Sequence, residues 1–196
     1  EELLDSGNSA VRCPPLEDEW QALSLNYTSG TTGKPKGVVY HHRGAYLMSM
    51  GTIPGWELTN HPRYLYSVPM FHCNGWGHAW TMTLLAATVV CMRSFSPKHL
   101  FELLEQHNIT HFGGAPVVLN MLANAPNKDQ KRFDRSIRVM TAGAPPPAKV
   151  IESMSVFGFD ILHVYGLTET YGHILLSAPQ TEWSTKSRNQ KAKLLS

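Results

Sequence analysis

The sequence predicts an α/β fold, in which a largely parallel sheet is flanked by helices. Short apolar runs of strand length alternate along the chain with longer runs at helical spacing, which is the pattern of βαβ units. With 196 residues, 42% of them hydrophobic and 16% charged, the chain can form one substantial core. The net charge of +2 is too small to indicate a nucleic-acid or anionic-membrane surface, and no apolar run is long enough to span a bilayer.

The first half of the chain supplies three strands and two helices in this order. "ALSLNY" (22–27) is a strand that runs into a Gly-rich loop, and helical spacing follows from His42 to about Met50. "YLYSVPM" (64–70) reads as a strand, whereas "GWGHAWTMTLLAA" (75–87) is long and apolar enough for a buried helix. "TVVCMR" (88–93) is a strand rich in β-branched residues.

The second half continues the alternation. Pro97 suits the first turn of a helix, and Leu100, Leu103 and Leu104 follow it at helical spacing. The remaining predicted elements are strands at 109–114, 137–143 and 160–166 and helices at 116–125 and 147–158, the last ended by Gly158.

Three predicted strands run into small or polar residues at Thr28, Thr141 and Tyr165. In open α/β sheets, ligands bind just beyond the carboxyl ends of the strands. We therefore expect a ligand site where these three segments meet.

The loop within "NYTSGTTGKPKGVV" (26–39) has the composition of a phosphate-binding loop. Glycines let successive N–H groups converge, hydroxyl groups and two lysines (Lys34 and Lys36) add donors and charge, and a following helix would add its positive dipole end. The spacing fits neither G-x-x-x-x-G-K-[ST] nor G-x-G-x-x-G. Composition alone leaves a phosphate loop and a plain linker open.

Four motifs in order resemble those of the acyl-adenylate-forming (AMP-binding) superfamily. "YTSGTTGKPKG" (27–37) resembles its signature loop, and "PMFHCNGW" (69–76) its His-bearing motif. "TAGAPPP" (141–147) resembles the adenine-side loop and "VYGLTET" (164–170) the Y-G-x-T-E motif. Within the superfamily, these segments are most similar to plant acyl-activating enzymes close to butyrate- and benzoate-CoA ligases. The resemblance implies part of the large N-terminal domain of such an enzyme.

The resemblance also implies an activity, in which a carboxylic acid and MgATP give acyl-AMP and coenzyme A then forms a thioester. Thr168 would contact the α-phosphate, Glu169 would bind Mg²⁺, and Tyr165 with Gly166 would lie against the adenine. Without the resemblance, Glu169 reads as a surface acid and Tyr165 as a core residue. The remaining implied nucleotide-binding residues are Thr28, Ser29, Gly30, Thr31, Thr32, Gly33 and Lys34 in the loop and Gly143, Ala144 and Pro145 on the adenine side.

The acid itself is expected between the His-bearing segment and the neighbouring strand ends. By the resemblance, His72 lies beside the carboxylate and, with Thr168 and Glu169, completes the catalytic set, while Asn74, Trp76 and Gly114 line the acyl pocket. Glycines in these segments leave space in the acyl pocket, whereas the indole of Trp76 fills part of it. We expect an uncharged acid, short to medium aliphatic or simple aromatic.

The chain is expected to be a piece of a longer protein, because it opens with "EELLDSGN" and lacks the family's ribose-binding Asp and catalytic Lys. We divide it into an N-terminal segment (1–19), a partial AMP-binding domain (20–178) and a polar, basic tail (179–196). Residues 186–193 of this tail, "KSRNQKAK", are expected to be solvated.

Three interpretations stay open. The chain is a segment of an acid-CoA ligase that is inactive alone, a truncated product that binds nucleotide or a partner without catalysis, or part of an amino-acid adenylation domain. Its three widely spaced cysteines indicate a reducing compartment, so we expect an intracellular protein, cytoplasmic or peroxisomal.

Overall fold

The structure is a computed structural model that describes residues 2–29 and 33–196. Strands and helices alternate along most of it. In chain order the elements are α1 (Glu2–Asp5), β1 (Ala22–Thr28), β2 (Lys36–His41), α2 (His42–Gly55), β3 (Arg63–Tyr66), α3 (Cys73–Trp76), α4 (His78–Leu84), β4 (Thr88–Cys91), α5 (Pro97–Gln106), β5 (His111–Gly113), α6 (Pro116–Ala123), β6 (Ile137–Thr141), α7 (Ala148–Val156), β7 (Phe159–Leu167), a 3₁₀ turn (Thr168–Thr170), β8 (Gly172–Leu176), a second 3₁₀ turn (Thr181–Thr185) and α8 (Arg188–Leu195).

Within the described residues, six strands form the main sheet in the order β4-β3-β5-β6-β7-β8. The first five strands of that order are parallel, and β8 is antiparallel to β7. The prediction of a largely parallel sheet flanked by helices is confirmed.

Both faces of the sheet are buried, as expected for parallel strands joined by helical crossovers. Side chains that alternate along a strand point to opposite faces. Thus Val139 of β6 belongs to a core cluster that includes Phe101, Leu104 and Phe112, while the adjacent Met140 lies in a second cluster on the other face. That second cluster is aromatic, with the buried side chains of Trp56, Tyr64 and Tyr66.

The predicted strand-loop-helix arrangement at the Gly-rich loop is wrong. Residues 36–41 form β2, which pairs antiparallel with β1 in a separate two-stranded hairpin, for example Leu25 with Val39. The loop therefore connects two paired strands, and among the described residues no helix begins directly after it. The expected helix does begin at His42, after β2, and runs on to Gly55.

Several boundaries also differ from the predictions. The strand predicted over 64–70 ends at Tyr66, and the helix predicted over 75–87 is shortened to His78–Leu84 because a left-handed turn precedes it. Strand β8 was not predicted. Its exposed outer residues, among them Ile174 and Leu175, do not give the alternation of a half-buried strand.

The expectation of a solvated tail over 186–193 is corrected in one respect. Ser187 caps α8 by accepting a hydrogen bond from the backbone N–H of Gln190, and the helix packs against α7. Ala192 is 1% exposed within the main core, while Lys193 stays exposed. Among residues 2–29 and 33–196, no helix combines the length and apolar character needed to cross a membrane.

Candidate active site

A cavity of about 390 Å³ lies at the carboxyl ends of β6 and β7, two of the three strands at which the sequence predicts a ligand site. The third, β1, belongs to the separate hairpin, and Thr28 does not line the cavity. Its walls come from four segments that are far apart in sequence. The lining residues are His72, Cys73, Trp76, Ala115, Met140, Ala142, Gly143, Val164, Gly166, Leu167, Thr168, Gly172 and His173. The cavity thus brings together five predicted site residues: His72, Trp76, Gly143, Gly166 and Thr168.

The wall that carries His72 and Trp76 is a turn of left-handed helix. The φ angles from Cys73 to Gly77 are all positive, between 42° and 71°, and the backbone N–H of Trp76 donates to the carbonyl of His72 at 3.1 Å. Such a turn costs about 1–2 kcal/mol for each residue that is not glycine, so the surrounding structure must hold it. At Gly75 a Cβ would lie 1.8 Å from the hydroxyl oxygen of Tyr66, so a larger residue there would have to displace the buried Tyr66 side chain.

Another part of the wall is the 3₁₀ turn that follows β7, and Tyr40 and Tyr171 hold its backbone. The hydroxyl of Tyr40 on β2 donates to the backbone carbonyl of Thr168 at 2.6 Å. Burial raises the pKa of Tyr40, and the nearby Cys73 adds to the effect, so the hydroxyl remains a donor. The ring of Tyr40 also stacks on that of Tyr171 with the centroids 4.1 Å apart.

The side chain of Glu169 is exposed on this turn, next to the cavity wall formed by Thr168. No ion pair to Glu169 occurs within the described part of the chain. Its charge raises the pKa of Tyr40, although less than burial does. A fixed backbone with a free carboxylate is an arrangement that suits a hard cation.

Tyr165 does not line the cavity. Val164 and Gly166 contribute to its wall, whereas Tyr165 between them is 54% exposed and lies beside Leu175. Ala144 and Pro145 are exposed just beyond Gly143 and are not part of the cavity wall either. The adenine-binding role of these residues stays a prediction.

Asn74 and Gly114, both predicted to line the acyl pocket, lie outside the cavity wall. The side-chain oxygen of Asn74 accepts hydrogen bonds from the hydroxyl of Ser24 at 2.6 Å and the amide of Asn26 at 2.8 Å. Gly114 is buried against α6, where a Cβ would lie 3.1 Å from Cγ1 of Val118. Ala115, one residue later, supplies the wall instead.

The Gly-rich loop is described only at its two ends. Thr28 closes β1, Ser29 follows it, and Gly33 and Lys34 are exposed on the far side, Gly33 with a φ of 86°. The predicted phosphate-binding residues Gly30, Thr31 and Thr32 lie outside the described residues.

The sequence analysis missed His173, which lines the cavity from the start of β8. It lies near the buried His78 and His111 and is itself partly buried, and each of the three has one buried ring nitrogen without a partner among the described residues. Burial lowers the pKa of His78 to about 3 and that of His111 to about 4. These residues are therefore neutral near pH 7. Because the sequence does not predict β8, nothing in the sequence marks His173, the second residue of that strand, as a site residue.

Comparison with protein-family models gives a match to "AMP-binding enzyme" over residues 2–193. The chain belongs to this family. The match includes all four motifs and runs from the first described residue to residue 193.

Curated relatives of this family are similar to the chain along almost all of its length. The peroxisomal acetate/butyrate–CoA ligase of Arabidopsis thaliana is 43% identical over 99% of this chain and 34% of its own length. The 2-methylpropanoate–CoA ligase of Humulus lupulus is 40% identical over 100% and 35%, and the peroxisomal trans-cinnamate:CoA ligase of Petunia hybrida is 41% identical over 99% and 34%. The chain thus spans about a third of the length of these relatives.

Solved structures of the family share the fold. The O-succinylbenzoate coenzyme A synthetase of Bacillus subtilis in complex with ATP and magnesium ion matches with a TM-score of 0.78 at 25% identity, over 95% of this chain and 38% of that one. The N-terminal domain of FACL13 from Mycobacterium tuberculosis matches with a TM-score of 0.77 at 25% identity, over 93% and 45%. The part described here is therefore a section of the large N-terminal domain of an acyl-adenylate-forming enzyme.

Proposed function

We propose that the complete protein is an AMP-forming acid-CoA ligase, which activates a carboxylic acid with ATP and transfers the acyl group to coenzyme A. The observation that carries the proposal is the cavity whose largely apolar wall includes both His72 and Thr168, in a chain of the AMP-binding enzyme family. Relatives named as CoA ligases, 40–43% identical, support the same activity.

In the proposed reaction, a carboxylate oxygen of the acid forms a bond to the α-phosphorus of ATP, and the bond from that phosphorus to the β-phosphate bridging oxygen breaks. Pyrophosphate leaves. The coenzyme A thiolate then attacks the acyl carbon, and AMP departs with the electron pair of the acyl–oxygen bond. The protein contributes mainly orientation and charge stabilisation, because phosphoryl transfer needs little covalent help.

Each residue at the cavity has a proposed task in this reaction. His72 donates a hydrogen bond to the acid's carboxylate from an exposed position, and the hydroxyl of Thr168 contacts the α-phosphate. The hairpin turn from Thr28 to Lys34 receives the β- and γ-phosphates, with hydroxyl, backbone N–H and lysine donors. Tyr165, Gly143, Ala144 and Pro145 remain proposed for the adenine.

Magnesium fits this site through Glu169. Its carboxylate is exposed and free of ion pairs within the described residues, and an oxygen ligand of this kind is what Mg²⁺ binds beside nucleotide phosphates. When bound, the ion neutralises charge on the phosphates. The residue that would hold it is Glu169.

The cavity favours an uncharged acid of short to medium length or a simple aromatic acid. None of its lining residues, as far as the structure describes them, is Asp, Glu, Lys or Arg, so a free amino group would lack a partner. That disfavours an amino-acid adenylation domain. Relatives named for acetate, butyrate, 2-methylpropanoate and trans-cinnamate support the same range, and the two named as peroxisomal are compatible with either a cytoplasmic or a peroxisomal location.

An acid-dependent ATP–pyrophosphate exchange assay on the complete protein tests the proposal. Exchange should depend on both Mg²⁺ and a carboxylic acid, and the acyl-AMP formed should yield a thioester when coenzyme A is added. Absence of exchange with C2 to C16 acids, benzoate and cinnamates would refute the ligase. Nucleotide binding without exchange would then favour the alternative of a non-catalytic nucleotide-binding protein.

A further inference from the structure

The segments that carry the proposed site residues are joined in pairs by polar side-chain contacts. Asn74, in the His72 segment, is bonded to β1 of the hairpin, and Tyr40, in β2 of the hairpin, is bonded to the Thr168 turn. The His72 segment and the Thr168 turn also contact each other directly, because the sulfur of Cys73 lies 3.4 Å from the hydroxyl oxygen of Thr168. The hairpin, the His72 segment and the Thr168 turn therefore form a closed triangle of contacts.

Two hydrogen bonds fix the orientation of the Asn74 side chain. Two donors, from Ser24 and Asn26, converge on its single side-chain oxygen, and Asn26 is only 6% exposed. The backbone of Asn74 has a φ of 42°, in the left-handed region that Asn tolerates better than most residues. These two bonds attach the left-handed turn that follows His72 to the strand that leads into the Gly-rich loop.

The contact at Tyr40 links β2, the second strand of the hairpin, to the Thr168 turn. Tyr40 is fully buried, and the carbonyl of Thr168 accepts both its hydroxyl and the backbone N–H of Tyr171. The hydroxyl of Tyr171 in turn accepts the backbone N–H of His41 at 3.0 Å. Tyr171 needs the glycine at position 44, because a Cβ there would lie 2.3 Å from its ring. The turn is thus tied to β2 at both of its ends.

We propose that Tyr40 and Asn74 are positioning residues. They hold the phosphate-binding hairpin in a fixed position relative to His72 and Thr168–Glu169. Neither side chain lines the cavity, so both act through the segments that they join. The proposal rests on the proposed adenylation activity. It also assigns Asn74 a role different from the substrate contact that the sequence predicts.

The first test compares Tyr40→Phe with Tyr46→Phe in the complete protein. Tyr40→Phe keeps the stacked ring and removes only the hydroxyl, whereas Tyr46 is an exposed tyrosine on α2 and serves as the matched control. We expect Tyr40→Phe to lower the adenylation kcat about tenfold, with the KM for ATP changed less than about threefold, since alignment rather than affinity is lost. An unchanged kcat, or an equal loss in the Tyr46→Phe control, would overturn the proposal.

The second test uses Asn74→Gly, which removes the acceptor without straining the left-handed backbone. Asn108→Gly is its matched control, because Asn108 also has a positive φ, of 50°, but is exposed at the end of α5. We expect a fall in kcat for Asn74→Gly alone, again of about tenfold. If Asn74→Gly instead raises only the KM for the acid, Asn74 contacts substrate and its positioning role is wrong.

Hydrogen–deuterium exchange separates this proposal from the activity on which it rests. In Tyr40→Phe, the peptide containing the backbone N–H of Tyr171 should exchange faster than in the wild type, while the peptide of α5 should not change. Unchanged exchange at Tyr171, or faster exchange everywhere, would overturn the coupling. This result decides the coupling even if the wild-type protein shows no pyrophosphate exchange, an outcome that would refute the ligase activity only.

Discussion

The hydroxyl oxygen of Tyr64 lies 2.6 Å from Nδ1 of His78, and neither side chain is accessible to solvent. Burial raises the pKa of Tyr64 well above its usual value, so the hydroxyl keeps its proton and donates it to Nδ1. The hydrogen-bond network thereby assigns the proton of the neutral imidazole to Nε2. His78 is thus fixed as a neutral core residue, with its ring near those of Trp56 and Trp76.

The first prediction concerns acid stability. Burial lowers the pKa of His78 to about 3, helped by the nearby His173 and His111, and lowers that of His111 to about 4. The unfolded chain, with ordinary histidine pKa values of about 6.5, binds these protons more readily. Their contribution to stability is therefore complete above pH 6.5 and is lost as the pH falls toward 4 and then 3. Each group adds a slope of about 1.4 kcal/mol per pH unit in that window.

Thermal unfolding of the complete protein between pH 7 and pH 4 measures this slope. We expect the melting temperature of the wild type to fall with pH, and to fall less steeply in His78→Gln, which keeps a polar partner for Tyr64 but does not titrate. His99→Gln is the control, because His99 is exposed on α5. Equal slopes in wild type and His78→Gln would show that His78 is not neutral and buried.

The second prediction concerns Glu169. Glu169→Gln should lower the rate of adenylation on the order of a hundredfold, because an amide is a much poorer ligand than a carboxylate for Mg²⁺. The exposed Glu182 offers a matched control, Glu182→Gln. Pyrophosphate exchange measured across a MgCl₂ titration should also show a higher magnesium requirement for Glu169→Gln. An unchanged rate and an unchanged magnesium dependence would remove Glu169 from the site.

The third prediction concerns the hairpin turn. Lys34→Ala should raise the KM for ATP and weaken adenylation, because an exposed lysine at the end of the loop supplies charge to the phosphates. Lys98→Ala, on the exposed side of α5, controls for loss of a surface charge. Thr31→Ala should act in the same direction. Steady-state kinetics with ATP varied at saturating acid measure both effects, and an unchanged KM for ATP in both loop variants would contradict the phosphate role.

The alternating strands and helices could be predicted because each is a local pattern. Val139 and Met140 sit on opposite faces of a strand whose two sides are both buried, and such a strand shows as a continuous apolar run. The hairpin was missed for a non-local reason. The pairing of Leu25 with Val39 joins residues across the loop, and the loop's composition is compatible with a following strand or a following helix.

The same limit applies to the site. His72, Trp76, Gly143 and Thr168 could be found from motifs because each is identified by its neighbours in sequence. The role of Asn74 could not be found this way, because it depends on donors from Ser24 and Asn26 about fifty positions away. The placement of single residues along a strand matters as well, since Tyr165 does not line the cavity although its neighbours Val164 and Gly166 do.

The last prediction concerns the length of the acid. Trp76 is the largest side chain on the cavity wall, and its indole lies beside the position that a Cβ on Gly113 would occupy, 3.5 Å away. Its backbone is in the left-handed region, so exchange for another non-glycine residue leaves the strain of the turn unchanged. Replacing the indole by a smaller side chain should therefore change the volume of the cavity without altering the turn.

Trp76→Leu should shift the preference of the complete enzyme toward longer or aromatic acids. Each additional methylene that the enlarged pocket accepts should alter the ratio of kcat/KM values by about 10- to 200-fold. Trp183→Leu, in the second 3₁₀ turn, controls for the loss of a tryptophan outside the cavity wall. A panel of C2 to C16 acids, benzoate and cinnamates, assayed with all three enzymes, measures the shift. If the kcat/KM ratios in Trp76→Leu equal those of the wild type, the indole does not limit the acyl pocket, and the acid must bind against another part of the wall.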